Sequence, residues 1–102
     1  MSRLLTDKER AAVLHDLAES RPLLAWYARE RAQAISAMEG HAVKALAAEV
    51  AGEFAPLPGD ISIAEYHHRM GVRLREQAER LHERRAMLLQ DVRQMERDLA
   101  HV

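Results

Sequence analysis

The chain has no cysteine, so it has no disulfide framework, no thiolate metal site and no thiol nucleophile. Aromatic residues are scarce: Trp26, Tyr27, Phe54 and Tyr66 make up 4% of 102 residues. Only three prolines and four glycines interrupt it. Charge of either sign barely prevails. Fifteen Lys and Arg stand against sixteen Asp and Glu, for a formal net charge of −1. That balance offers no overall positive field for nucleic acid. No apolar run approaches the ~18 residues of a membrane span. Residues 1–8 lack the apolar core and small-residue cleavage site of a signal peptide. These features point to one soluble cytoplasmic domain at most. Serines are few (Ser2, Ser20, Ser36, Ser62). There is no Gly-x-Ser-x-Gly and no glycine-rich phosphate loop, so no enzyme, catalytic residue or cofactor is expected.

What the chain does have is helical patterning. Thr6-Asp-Lys-Glu9 and Ser62-Ile-Ala-Glu65 are capping boxes, which satisfy orphan N–H groups at a helix start. Ile61 is placed to staple against Tyr66. Pro22 removes a backbone donor and disfavours helical angles at Arg21, so it predicts a break there. Gly52 suits a C-cap, and residues 52–61 hold two prolines and two glycines, a turn. The expected architecture is therefore all-α, a short N-terminal helix followed by a long antiparallel hairpin. The helices cover about residues 7–19, 22–51 and 62–101.

Within the first helix Val13, Leu14 and Leu17 form the apolar face. In the second, Ile35, Met38, Ala42, Leu46 and Val50 follow steps of three and four, a core stripe. Alanine is frequent there, and Gly40 suggests a close crossing or a bend. In the third, Leu74, Leu81, Leu88, Met95 and Val102 recur every seven residues, with Ala78, Val92 and Leu99 between them. That is a heptad seam and demands a partner helix. Upstream, Ile63, Tyr66, Met70 and Leu74 carry an extra step of four, a stutter. Arg85 falls on a seam position, where a polar residue sets register or partner number. Leu89 widens the apolar surface next to Leu88. The partner or oligomer interface is therefore expected on the C-terminal helix, at Leu74, Leu81, Arg85, Leu88, Leu89, Val92, Met95 and Leu99.

Two other classes leave weaker marks. Glu65/His68 and Glu79/His82 are Glu-x-x-His pairs, the spacing of di-iron helical bundles. Both lie on one helix, about 21 Å apart by helix rise, so they cannot share a metal within the chain. Only a ferritin-like oligomer with Glu65 and His68 as ligands would use them. The arginines from Arg69 to Arg97 would suit a small nucleic-acid-associated regulator, but Glu and Asp interleave with them. Mixed charge of this kind is the usual surface of a solvated helix. Trp26 and Tyr27 fit a core anchor near the bundle end, or an exposed hot spot for a partner.

Residues 60–66, Asp-Ile-Ser-Ile-Ala-Glu-Tyr, leading to Met70 and Leu74 of a long charged helix, resemble the middle of the FliJ family. Its members are coiled-coil stalk proteins of flagellar and type III export. The likeness covers about residues 40–99. It implies two antiparallel helices joined by a turn, and a non-enzymatic stalk that contacts the export ATPase and gate and handles export chaperones. With or without it, the residues read as a non-enzymatic helical interaction module: an adaptor, small chaperone or assembly factor.

Overall fold

The structure, a computed structural model, describes residues 4–52, 56–57 and 61–100. The fold is all-α, a helical hairpin. Helix α1 spans Asp7–Val50 and α2 spans Ile63–Ala100. Between them β1 (Pro56–Leu57) and β2 (Ile61–Ser62) pair antiparallel, Pro56 with Ser62 and Leu57 with Ile61. The turn expected over 52–61 thus carries a two-residue ladder. Phe54 and the side chain of Ile61, with its expected staple to Tyr66, lie outside the described residues.

Both helix starts follow their capping sequences. The Thr6 hydroxyl accepts from Glu9 N–H at 3.1 Å, and the Glu9 carboxylate accepts from Thr6 N–H at 3.2 Å. At α2 the box is half closed. Ser62 Oγ accepts from Glu65 N–H at 3.1 Å, while the Glu65 carboxylate turns to Arg69 at 2.7 Å. That Glu–Arg pair is the favourable i,i+4 order. At the end of α1, Gly52 adopts φ +69° and donates to Glu49 C=O at 3.2 Å. Its left-handed angle is the reason a glycine stands there.

The expected break at Pro22 does not occur: the two N-terminal helices are one helix of 44 residues, with Pro22 inside it. Pro22 is exposed. The Ala18 carbonyl that it leaves unbonded therefore has access to water. Seam residues flank it on both sides, Leu17 and Ser20 before and Leu24 and Tyr27 after. Their burial holds the helix through a position that would end an isolated one.

The chain divides into two compact units. The terminal unit combines Met1–Arg29 with His82–Val102, and the loop unit is Glu30–Leu81. In the terminal unit Arg10 Nη1 donates to Leu99 C=O at 3.1 Å. The covered side of α1 there is Val13, Leu17, Ser20, Leu24 and Tyr27, and that of α2 is Arg85, Leu88, Val92, Met95 and Leu99. In the loop unit the covered positions are Ala34, Met38, His41, Ala45 and Ala48 on α1. On α2 they are Ile63, Ala64, His67, Met70, Gly71, Leu74, Ala78 and Leu81. A path in alternating steps of three and four runs along α2 from Ala64 to Leu99, with Ile63 and Met70 half-buried beside it, and of the expected stutter residues only Tyr66 is exposed. His67 takes the inner position expected of Tyr66, and Gly71 shares the covered side with Met70.

The stripe expected in the middle of the chain also moves. Ile35 and Met38 are half-buried as expected, but Ala42, Leu46 and Val50 are exposed, and the covered face continues through His41, Ala45 and Ala48. Toward the loop end of α1 alanines fill the covered side, and Val43, Leu46 and Val50 face out. Gly40 marks no close crossing, since a Cβ built there meets no atom within 4 Å.

Candidate functional site

The residues expected to form an interface on α2 lie on the side covered by the chain's own α1. Leu81 is 8% exposed and Val92 3%. Leu74, Arg85, Leu88, Leu89, Met95 and Leu99 are half-buried. They hold the helix pairs together. Arg85 keeps the seam position given it by the heptad, and its Nε is buried without an acceptor among the described residues.

Among the described residues most of the large apolar side chains left open are on α1, and Tyr66, Val72 and Met87 are those left open on α2. In the loop unit Val43, Leu46 and Val50 are 68, 61 and 81% exposed. Their steps of three and four put them on one stripe, about 180° around α1 from His41, Ala45 and Ala48. The cause is in the sequence. α1 distributes alanines and larger aliphatics around its whole circumference, whereas α2 gathers most of its own on one side of a charged helix, with Val72 and Met87 outside it. A helix apolar on two faces has one face to spare after pairing once.

In the terminal unit, Trp26 packs edge-on against Tyr27, with ring centroids 5.2 Å apart. Tyr27 turns into the seam, and Trp26 is 43% exposed. Of the two readings of this pair, the core anchor describes Tyr27 and the exposed aromatic describes Trp26. Glu19, Pro22, Leu23, Trp26 and Arg29 line an open hollow of about 400 Å³. Leu14, expected on the inner face with Val13 and Leu17, is half exposed instead.

The Glu-x-x-His residues do not converge on a metal position. Glu65 is held by Arg69, and His68 Nε2 lies 2.8 Å from Glu49 Oε1. Glu79 and His82 are both exposed. His15 contacts Glu19 at 3.2 Å, one turn along α1. Among the described residues no three His, Asp or Glu side chains group as ligands. No helix among them is long and apolar enough to cross a membrane.

One polar feature was not anticipated. His41 Nδ1 and His67 Nδ1 meet at 2.7 Å in the seam of the loop unit. Their rings are 5.0 Å apart and tilted by 37°. The Tyr66 ring stands edge-on to both, 5.2 Å from His67 and 6.3 Å from His41. Burial pushes His67 below the ordinary imidazole pKa, and the neighbouring His41 and Lys44 charges add to that shift. The heptad itself carried the signal. Stepping back seven residues from Leu74 lands on His67, and three beyond Met38 lies His41.

Comparison with known proteins returns no relative: no family model, no curated sequence and no solved structure matches the chain.

Proposed function

We propose that this chain is a non-enzymatic helical interaction module, an adaptor or small assembly factor of the cytoplasm. It presents the outer face of α1 to a partner helix, either from another protein or from a second copy. The observation that carries this reading is the Val43–Leu46–Val50 stripe, three aliphatic side chains all more than 60% exposed on a helix already paired through its opposite face. Exposed apolar stripes of this kind mark interaction sites.

The slight core supports it as well. Among the described residues five of the eight buried apolar ones are alanine (Ala34, Ala45, Ala48, Ala64 and Ala78). The chain leaves 7639 Å² accessible, where a monomer of 11.6 kDa averages about 5,800 Å². Further burial on a partner would supply what the isolated chain lacks. Export-stalk proteins of the FliJ type are one form of such a module, and the two antiparallel helices are compatible with that form.

The test separates surface from core. Val43→Asp, Leu46→Asp and Val50→Asp together should leave the melting curve within about 1 kcal/mol of the parent, as exposed substitutions do. They should abolish self-association in light scattering, or capture of the partner from the native host. Leu81→Ala should cost about 2–4 kcal/mol, as a buried leucine does. If the triple variant associates and captures as the parent does, the outer face of α1 is not the interface.

A further inference from the structure

We propose that the His41–His67 contact is a proton-operated latch, closed at neutral pH and opening the loop unit's helix pair as the pH falls through the histidine range. A 2.7 Å contact between two imidazole nitrogens needs one N–H and one lone pair. The closed pair therefore works with both rings neutral, or with one proton shared between them. A second proton would set two N–H groups and two cations face to face, and the contact cannot survive it.

The surroundings offer no relief. On α1 the next charged group toward His67 is Lys44, another cation. On α2 the pair adjoins Tyr66, while His68 and Arg75 line the same small cavity as His67. Glu49 is committed to His68 at 2.8 Å. No described carboxylate contacts either imidazole of the pair.

The structure around the latch is easily opened. The fully buried side chains flanking the two histidines are Ala45, Ala48 and Ala64, with Met38, Ile63 and Met70 half-buried beside them and Gly71 one turn on. A Cβ built at Gly71 meets nothing within 4 Å, and a cavity of about 180 Å³ lies beside it, lined by Met38 and His67 among others. No large apolar side chain is fully buried beside the pair, and a shortage of buried apolar contact favours local opening.

Proton linkage gives the direction and the size. The open form takes up two protons where the closed form takes one, so acid favours the open form. If the second proton binds only when open, at an ordinary histidine pKa of ~6.5, opening is favoured up to about thirtyfold more at pH 5.0 than at pH 7.5.

Native-state hydrogen exchange on the full chain, with EDTA present to exclude metal, tests this. Rates are corrected for the intrinsic effect of pH. Amides of residues 41–48 and 64–71 should open ten- to thirtyfold more readily at pH 5.0, and those of residues 88–95 less than about threefold. His67→Gln and His41→Gln, each made separately, should abolish the difference. A parent chain whose loop unit opens equally at both pH values overturns the latch. So does a pH response that persists in both variants. Should neither variant fold, imidazole NMR of the parent decides. Two separated titration steps for the pair support the latch, and two ordinary independent titrations overturn it.

Discussion

Replacing Pro22 with alanine should stabilise the protein by about 2–3 kcal/mol. Pro22 stands inside α1, where its ring displaces the Ala18 carbonyl and no N–H is available to bond it. The interior cost of proline relative to alanine is about 3 kcal/mol. Pro22 is exposed, so water can solvate that carbonyl and some of the penalty is already relieved. For a domain of this size each kcal/mol moves Tm by about 4–8 °C, so Pro22→Ala should raise it by roughly 10–20 °C. Urea titration followed by circular dichroism at 222 nm checks this, with the midpoint rising at constant slope. The result also separates two architectures. If Pro22 began a second helix, it would occupy the one position where proline is favoured, and alanine would be neutral or destabilising. An unchanged or lowered midpoint would refute the continuous α1.

Other substitutions follow the same logic. Gly71→Ala should stabilise by about 1 kcal/mol, because a methyl group there meets no atom and lowers the conformational freedom of the unfolded chain; a loss of stability on urea titration would mean that the seam is closed at that point. Arg85→Met should gain about 1–2 kcal/mol by removing a buried Nε without an acceptor, read as a higher urea midpoint. Ser62→Ala should lose about 1 kcal/mol through the uncapped Glu65 N–H, and Ser62→Asp should restore most of it.

Much of the fold was legible because its signals are local. The reciprocal Thr6–Glu9 bonds, the Ser62 cap and the left-handed Gly52 each depend on a few adjacent residues. The heptad from Leu74 to Leu99 was also plain, because its large aliphatics are set among charges. The misreadings share one cause, which is that tertiary pairing outranked side-chain size and local propensity. In α1 the large residues Leu46 and Val50 suggested the core, but the covered side there is Ala45 and Ala48. Tyr66 looks more apolar than His67, and so the exposed ring was placed in the seam and the covered imidazole was not. At Pro22, burial on either side outweighed a local penalty that governs an isolated helix. The interface residues were sought in the best apolar seam, and that seam is the one the chain uses to hold itself together.

The most direct test of the interaction function is site-specific photo-crosslinking in the native host, with a benzophenone side chain placed at Leu46. Adducts of defined mass, to another protein or to a second copy, should form at Leu46 and not at Glu79, an exposed polar position on α2. No adduct at Leu46, or equal adducts from both positions, would contradict the assignment of the outer face of α1 as the docking surface.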